Sequence, residues 1–298
     1  MESSRRSELI RTTNGWQLLY NDSTCNETCL SLIQDFIALG EPPGDWVKLN
    51  SSANSRVWKF SVDDRWFVFK EFLKRGRFDT LKALLTGSRA HKAWQRGNEL
   101  RARGFNAPEV LIYGYQSLLF TTQRSFILMN FLMHSMGLHT LLKDQFSMPL
   151  TPEKVKLKRS LLRSAGRFIG KMHAEGIFHG DLRLDNILVN GWETGAHTFS
   201  LIDNERNRYF TEKRISTYCR RKNLVQVNMV ILPQITSADR HRFFMAYLSE
   251  NPKLYPAAKD LIRKVHLKTK KRLSKKRSLV FGKNSNGKVQ DLSYNKNL

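Results

Sequence analysis

A loop and two short apolar segments between residues 179 and 203 constrain this chain more than any other part of its sequence. The loop is His179-Gly-Asp-Leu-Arg-Leu-Asp-Asn186. The apolar run Ile187-Leu-Val189 follows it, and a second run, His197-Thr-Phe-Ser-Leu-Ile202, ends at Asp203. Short apolar runs of this kind are typical of buried strands, so Asn186 and Asp203 are expected at neighbouring strand ends. Oxygen ligands placed in this way suit Mg²⁺, which takes one or two protein carboxylates and leaves its other positions to water and phosphate.

The spacing of these residues resembles the catalytic loop of protein kinases. In that family an Asp accepts the proton of the substrate hydroxyl, and an Asn five residues later holds a magnesium. Asp181 and Asn186 have this interval, and Asp203 follows at the place of the second metal ligand. Arg183 lies where protein kinases carry a Lys that faces the transferred phosphate. Asp and Asn are also common in ordinary turns, but the joint spacing favours a kinase site, with Asp181 and Arg183 catalytic and Asn186 and Asp203 metal-binding.

A strand with a lysine near its end is predicted upstream of this loop. The segment Arg65–Phe72 is aromatic and β-branched, and it follows the turn-like pair Asp63-Asp64. Its Lys70 occupies the place of the kinase strand lysine that neutralises the phosphates of ATP. A lysine that simply faces solvent is the alternative, and the downstream loop favours the phosphate-binding role.

Two further segments are candidates for binding ATP. The hairpin before Lys70 lies where kinases cover the phosphates with a glycine-rich loop, but here polar residues replace the glycines. They are Ser51, Ser52, Asn54 and Ser55. Such a turn can still offer backbone N–H groups and hydroxyls to phosphate. The strand Phe126–Leu132 is predicted to be the hinge, where the backbone of Asn130 and Leu132 would contact adenine.

Several segments together resemble the lipopolysaccharide core kinases of the Kdo/WaaP family, and the resemblance covers about residues 10 to 278. They are Leu49–Val57, Phe69-Lys70, Gly87–Pro108, Met172–Leu182, Ile202-Asp203 and Asp239–Leu248. The resemblance implies an α+β, two-lobed protein-kinase-like fold, with a small antiparallel sheet in the N-lobe and a mainly helical C-lobe. It also implies ATP and Mg²⁺ as cofactors. The acceptor would be a heptose or Kdo hydroxyl of the lipopolysaccharide inner core or of its lipid-linked precursor.

The chain departs from the kinase pattern at three places. Where a helix glutamate would pair with Lys70, the chain has Ala93, and Glu99 is the one acid on that predicted helix. Either Glu99 is a shifted partner or Lys70 is held differently. Gly180 stands where protein kinases have Arg, and Asn204-Glu205 follows Asp203 in place of Phe-Gly. Because no Arg is present there to receive an activation-loop phosphate, we expect a site that is formed constitutively.

Length and composition agree with one two-lobed domain of 298 residues. We predict an N-terminal extension (1–45), an N-lobe (46–132), a C-lobe that ends in a basic helix (133–278) and a disordered tail (279–298). The three cysteines, Cys25, Cys29 and Cys219, indicate a reducing compartment. A secretory signal and a stretch of about 20 apolar residues are not found. The expected location is therefore cytoplasmic, peripheral on the cytoplasmic face of the inner membrane.

Charge indicates the partners. The chain has 50 Lys and Arg against 26 Asp and Glu, a net charge of +24, and nine Lys or Arg fall within 263–277. This basic segment could bind an anionic membrane surface, form a solvated helix face, or bind nucleic acid. The membrane is favoured, and nucleic acid is not expected because no RNA-binding motif accompanies the segment. A second basic cluster is predicted to cradle an anionic acceptor: Arg206, Arg208, Lys213, Arg214, Arg220, Arg221 and Lys222.

Two other functions are compatible with the motifs. One is an atypical protein kinase or an aminoglycoside-type small-molecule kinase, which shares the same catalytic residues. The other is a pseudokinase scaffold that binds membrane or nucleic acid through its basic segment. Ala93 and the glycine-free turn favour the scaffold, whereas Lys70 and Asp181 with their predicted metal ligands argue against it. The sequence determines neither the acceptor sugar nor the oligomeric state.

Overall fold

The computed structural model describes residues 7–11, 15–21, 27–73, 87–118, 121–213 and 215–281. Its N-terminal part is a seven-stranded antiparallel sheet in the order β1-β2-β6-β7-β5-β4-β3. The strands are β1 (Ser7–Arg11), β2 (Trp16–Asn21), β3 (Val47–Leu49), β4 (Ser55–Val62), β5 (Arg65–Phe72), β6 (Val110–Leu118) and β7 (Thr121–Asn130). Within the described residues, two helices accompany the sheet, α1 (Glu27–Leu39) and α2 (Arg89–Ala102).

Strand β5 separates the two packed layers of this lobe. Phe69 points into an aromatic core formed with α1, where its ring centroid lies 4.6 Å from that of Phe36. Because successive side chains of a strand point to opposite faces, Lys70 and Phe72 lie on the other face. There Phe72 packs with Ala90 and Ala93 of α2. The alternation of β5 therefore directs Lys70 away from the aromatic core and toward the layer that contains α2.

The segment predicted as an N-terminal extension supplies parts of this same lobe. Strand β2 buries Trp16, Leu18 and Tyr20 at every second position and pairs with β6. Helix α1 buries Ile33 and Phe36 in the same aromatic core. Residues 7–11, 15–21 and 27–39 thus belong to the sheet and its core.

The C-terminal part is mainly helical. Its helices are α3 (Leu138–Asp144), α4 (Pro152–Ala174), α5 (Thr217–Asn228), α6 (Ser237–Ser249) and α7 (Ala258–Phe281). Helix α4 begins with Thr151 as N-cap and Pro152 in its first turn. It crosses α6 closely at Gly166, where a Cβ atom would lie 2.3 Å from the carbonyl oxygen of Phe243. The small residue is therefore needed for this helix contact.

Short strands carry the loop identified in the sequence. They are β8 (Met136–Gly137), β9 (Ile177–Phe178), β10 (Ile187–Asn190), β11 (Thr198–Leu201) and β12 (Arg208–Tyr209). Strand β10 is central in a three-stranded sheet between β11 and β8. Ile187 pairs with Leu201, which aligns the end of the loop with the end of β11.

The predicted fold class is confirmed: an antiparallel sheet precedes a mainly helical part. Helix α7 extends to Phe281, past the boundary predicted at 278, and 282–298 lie outside the described residues. Cys25 also lies outside them, whereas Cys29 and Cys219 are buried free thiols in different clusters. Among the described helices, none combines the length and apolar character needed to cross a bilayer.

Candidate active site

Lys70 of β5 contacts Asp203 at the end of β11, which joins the two lobes. The Lys70 Nζ donates a hydrogen bond to Asp203 Oδ1, and the lysine side chain is 8% exposed. Burial of the Asp203 carboxyl would raise its pKa, but the adjacent Lys70 ammonium more than offsets this, so the pKa lies below its usual value. Asp203 also has a left-handed backbone, with φ 61°, a conformation that costs energy in a non-glycine residue and often marks functional sites.

Glu99 is not the partner of Lys70. Its carboxylate instead pairs with Arg103 Nη2 at 2.9 Å, one turn later on the exposed side of α2. Of the two possibilities that the sequence left open, the structure supports a lysine held by Asp203 itself.

Asp181 is held in the catalytic loop by three polar groups. Its amide N–H donates to His179 Nδ1 at 3.2 Å, and its Oδ1 accepts a hydrogen bond from Gln226 Nε2 at 3.3 Å. Arg183 Nη2 lies 3.2 Å from Asp181 Oδ2, and the arginine side chain is 58% exposed. The predicted acid and arginine are thus brought together, and the arginine has room to reach a phosphate.

Asn186 lies beside the strand end that carries Asp203. Its Nδ2 donates to the main-chain oxygen of Asp181 at 2.8 Å, so its side-chain oxygen is the atom able to coordinate a cation. Its main-chain oxygen accepts the N–H of Ile202 at 3.1 Å, next to Asp203. One amide oxygen and one carboxylate on adjoining strand ends fit Mg²⁺, which takes few protein ligands.

His179 braces the loop as a neutral imidazole. Its Nε2 donates to the carbonyl of Ile202 at 3.0 Å, while its Nδ1 accepts the N–H of Asp181. Both ring nitrogens are therefore used in one tautomer. Burial lowers the pKa of His179, although the bond to Ile202 opposes this. The histidine fixes the distance between Asp181 and the residue that precedes Asp203.

Two amides of α5, not identified from the sequence, support the same loop. Asn223 Oδ1 accepts the N–H of His179 at 3.3 Å, and Gln226 Oε1 accepts the N–H of Leu182 at 3.3 Å. Asn223 Nδ2 also donates to Gln226 Oε1 at 2.9 Å. The sequence offered one sign of this role, the spacing of the two amides. Residues three apart share one face of a helix, and the other buried residues of α5 include the apolar Leu224 and Val225.

Gly180 is explained by the close approach of the segment that follows Asp203. A Cβ atom at this position would lie 2.2 Å from the Cβ and 2.5 Å from the main-chain oxygen of Arg206. An arginine side chain at this position has no room. The expected lack of a phosphate receptor in the loop therefore has a steric basis.

The serine-rich turn between β3 and β4 is held by its own hydroxyls. Ser51 Oγ donates to the main-chain oxygen of Ser55 at 2.8 Å, and Ser52 Oγ lies 3.2 Å from Ser55 Oγ. The amide N–H of Asn54 lies 3.4 Å from Ser52 Oγ. Because Ser55 pairs with Phe72 in the sheet, the turn lies at the Lys70 end of β5.

The predicted hinge begins where β7 ends at Asn130. The N–H of Asn130 donates to the carbonyl of Glu109 at 3.0 Å, and that of Phe131 donates to Trp66 at 2.9 Å. Asn130 could therefore offer adenine its main-chain oxygen but not its N–H. Leu132 follows as a half-buried residue.

The second basic cluster is only partly available to an acceptor. Arg206 and Arg208 are exposed, and Arg221 and Lys222 are half-buried. Arg220 instead turns inward and donates to Asn251 Oδ1 at 2.8 Å. Arg214 and the side chain of Lys213 lie outside the described residues.

Comparison with known proteins identifies the family. The profile of the lipopolysaccharide kinase (Kdo/WaaP) family matches residues 51–247, a range that includes Lys70, Asp181 and Asp203. The chain belongs to this family. The predicted resemblance is thereby confirmed, and membership supports a phosphotransferase of the lipopolysaccharide core.

Two relatives illustrate this membership. The chain is 26% identical over 198 residues to the lipopolysaccharide core heptose(I) kinase WaaP of Pseudomonas aeruginosa, a match that covers 64% of this chain and 73% of the relative. A solved structure of WaaP in complex with acyl carrier protein superposes with a TM-score of 0.56 at 21% identity. That superposition covers 76% of this chain and 88% of the other. At this identity the structural likeness supports the fold alone.

Proposed function

We propose that this protein is an ATP-dependent kinase that phosphorylates a sugar hydroxyl, of heptose or Kdo, in the lipopolysaccharide inner core. The observation that carries the proposal is the contact between Lys70 and Asp203, which come from different lobes and are 133 positions apart. Asp181 and Asn186 lie on the loop beside this contact. Family membership favours a lipopolysaccharide acceptor over the protein and aminoglycoside acceptors that the motifs alone permit.

Each site residue has a defined task in this proposal. Asp181 accepts the proton of the sugar hydroxyl while the hydroxyl oxygen forms a bond to the γ-phosphorus of ATP. The bond between the γ-phosphorus and the oxygen that leaves with ADP breaks in the same step. Lys70 binds the ATP phosphates, and Arg183 turns from Asp181 toward the phosphoryl group in transfer. Asn186 and Asp203 would hold Mg²⁺, which when bound neutralises charge on the phosphate oxygens.

The nucleotide is assigned to the cleft between the lobes. The turn of Ser51, Ser52, Asn54 and Ser55 would cover the phosphates, because it lies at the Lys70 end of the sheet. The main chain at Asn130 and Leu132 would meet adenine. These assignments rest on the position of the turn and hinge relative to Lys70.

Heptose is the first candidate for the acceptor sugar, because the related WaaP of Pseudomonas aeruginosa is a heptose(I) kinase. Its anionic groups would meet Arg206 and Arg208, which are exposed beside the segment that follows Asp203. The decisive experiment incubates the protein with ATP, Mg²⁺ and purified core lipopolysaccharides of defined structure, and locates added phosphate by mass spectrometry. A heptose-containing acceptor should gain one phosphate, and an acceptor with Kdo alone should not.

Variants of the same reaction test the chemistry. Asp181→Ala and Asp203→Ala should each lower turnover by about 10²-fold or more, because the first removes the acceptor of the hydroxyl proton and the second removes a ligand of Mg²⁺. Binding of ATP should largely survive Asp181→Ala but weaken in Asp203→Ala when Mg²⁺ is present. Wild-type turnover in either variant would refute the proposed function.

The basic helix supports a peripheral location on the cytoplasmic face of the inner membrane. Helix α7 buries Leu261, Val265 and Thr269, and the Thr269 hydroxyl accepts a hydrogen bond from Asn228 of α5 at 3.1 Å. Its opposite side exposes basic residues: Arg263, Lys264, Lys268, Lys270, Lys271 and Lys275. One face is thus anchored while the other presents cations, the arrangement suited to anionic head groups.

Acyl carrier protein is a second candidate partner, because a WaaP structure contains it. The C-lobe has a cavity of about 340 Å³ lined largely by apolar side chains such as Leu142, Leu162, Val227 and Phe244. Such a cavity suits an acyl chain. Affinity purification of the tagged protein from a Gram-negative host should recover acyl carrier protein in equimolar amount. Protein isolated alone that is fully active would exclude this partner from the function.

A further inference from the structure

Arg89, the first residue of α2, joins three parts of the site. Its Nη2 donates to Glu205 Oε1 at 2.9 Å, and its Nη1 donates to the main-chain oxygen of Asn54 at 2.8 Å. Its guanidinium also lies over the ring of Phe72, 4.7 Å from the centroid. The arginine side chain is 19% exposed and that of Glu205 is 9% exposed. One planar, multidentate group thus connects the serine-rich turn, the end of β5 and the segment after Asp203.

We propose that Arg89 is a positioning residue: its ion pair with Glu205 fixes Asp203 and replaces the lysine–glutamate pair of protein kinases with a pair of reversed polarity. Here the helix supplies the cation, and the metal-binding segment supplies the anion two residues after Asp203. This inference rests on the proposed phosphotransfer at this site. Arg89 acts on the reaction only through Asp203 and the turn at Asn54.

The burial of Glu205 makes this pair energetically important. Its Oε1 bonds to Arg89, and its Oε2 is buried with no hydrogen-bond partner in the part of the chain that the structure describes. Removal of the arginine would leave a buried carboxylate without this compensating charge. Such an uncompensated charge is strongly destabilising, so the segment is expected to move until water reaches Glu205. Asp203 would move with it.

The position of Arg89 within its helix supports the same conclusion. A cation in the first turn is opposed by the helix dipole, and the first turn of α2 has no acidic residue. The helix itself therefore gains nothing from an arginine there. A residue that breaks a local preference is expected where function requires it, and the contact with Glu205 supplies that requirement.

Two further contacts hold α2 against the segment that follows Asp203. Arg96 Nη1 donates to the main-chain oxygen of Asn207, and Tyr209 Oη donates to the main-chain oxygen of Arg96. With Arg89 these contacts span one face of the helix from its start to its middle. Arg89 is the one of the three whose partner lies two residues from Asp203, so its loss should act most directly on the metal ligand.

Steady-state kinetics with Arg89→Met, Arg89→Lys and Glu205→Gln test the proposal, using the full chain, ATP, Mg²⁺ and core lipopolysaccharide. The matched controls are Arg101→Met and Glu99→Gln. Arg101 lies on the same helix, with its Nη1 3.1 Å from Glu109 Oε1, and Glu99 pairs with Arg103 on the exposed side of that helix. Arg89→Met should lower kcat by about tenfold or more, because small displacements of a reacting geometry are costly. It should also raise the Mg²⁺ concentration at half-maximal rate, with the KM for the sugar acceptor unchanged.

Arg89→Lys should recover part of the lost kcat, because it keeps the charge but cannot bridge Glu205 and Asn54 together. Both control variants should stay within about twofold of wild type. If Arg89→Met does not fold, Glu205→Gln against Glu99→Gln makes the same comparison. Equal kinetics in test and control variants would overturn the proposal, as would a lower unfolding midpoint with unchanged kcat and Mg²⁺ dependence. Asp181→Ala separates the two hypotheses: if it is inactive while Arg89→Met is normal, only the role of Arg89 fails.

Discussion

Lys70 and Asp203 form an ion pair between the sheet of one lobe and a strand end of the other. The proposed function assigns the lysine to phosphate and the carboxylate to a metal, so the phosphates of ATP would enter between two groups that already attract each other. The ion pair also fixes Asp203 relative to Lys70, whose strand β5 pairs with β4 on one side and β7 on the other.

The first prediction concerns the partner of Lys70. Lys70→Met should lower kcat/KM for ATP by about 10²-fold, because a fixed cation at the phosphates is lost from a site where electrostatics supplies most of the catalysis. Glu99→Gln is the control and should stay within about twofold of wild type, since Glu99 pairs with Arg103 on the exposed side of α2. Steady-state assays with varied ATP give both values. A large loss in Glu99→Gln would contradict the structure.

The second prediction concerns the space at Gly180. Gly180→Ala places a methyl group against the backbone of Arg206, and overpacking of this kind costs about 1–3 kcal/mol. Activity should fall with stability, because the displaced segment carries Asp203. Gly97→Ala is the control: Gly97 lies within α2 with open space around its missing Cβ, so alanine there should stabilise by about 0.5–1 kcal/mol. Urea denaturation and turnover should be measured for both, and equal behaviour would argue against the steric account.

The third prediction is a loss of stability in mild acid. Burial lowers the pKa of His173 to about 3, and the cation of Arg220 acts in the same direction. Burial likewise lowers the pKa of His179. Both folded-state pKa values lie below that of an unfolded histidine, about 6.5. The stability that these groups contribute is therefore complete above about pH 6.5 and is lost as the pH falls.

His173, with a folded-state pKa of about 3, should remove about 2 kcal/mol of unfolding free energy between pH 7 and pH 5, and His179 should act in the same direction. Urea denaturation at several pH values measures this dependence, and His173→Gln should reduce its slope. The pKa values of Asp203 and Asp239 are also lowered, but carboxylates of this kind act mainly below about pH 5. An unfolding free energy that stays constant over this interval would show that the histidines are not held neutral.

The fourth prediction separates the membrane role of α7 from a general effect of charge. Replacing Lys270, Lys271, Arg272, Lys275, Lys276 and Arg277 by Gln should weaken binding to anionic liposomes, at about 1 kcal/mol for each residue near the surface. The same set should lower activity on a membrane-bound acceptor but not on a short soluble core fragment. Sedimentation with liposomes measures the binding, which should also weaken as salt screens the charges.

Helix α4 offers a control of equal charge. Its length of 23 residues is close to the 24 of α7. It exposes six basic residues: Lys154, Lys156, Arg159, Arg163, Arg167 and Lys171. Replacement of these six by Gln should leave liposome binding closer to wild type. If both sets weaken binding equally, net charge explains the attraction. If neither does, the basic side of α7 serves solubility.

The motif around Asp181 predicted which loop residues lie together in the candidate site, and their chemical roles stay predictions. The interval between Asp181 and Asn186 is local, and both neighbouring strands are apolar, so the loop and its strand ends follow from the chain itself. Lys70 could be predicted because its strand has a strong aromatic pattern. Strand β2 was missed, although Trp16, Leu18 and Tyr20 alternate, because its polar positions and short length resemble a loop.

The ion pair of Arg89 could not be predicted, because Arg89 and Glu205 are 116 positions apart and meet only when the lobes pack. The role of Asn223 and Gln226 could not be predicted either, because the loop that their amides bind is distant in the sequence. The one local sign of Arg89 was an arginine in a first helical turn without an acid.

The tryptophans of the protein are distributed unequally between the two lobes. Five of its six tryptophans, Trp16, Trp46, Trp58, Trp66 and Trp94, lie before residue 132, and Trp192 alone lies in the C-lobe. Intrinsic fluorescence therefore follows mainly the sheet, whereas far-ultraviolet circular dichroism follows mainly the helices of the C-lobe. Fluorescence and dichroism recorded on one sample would show whether the lobes unfold together. Nucleotide titrations followed by emission would likewise report from the lobe that carries Lys70.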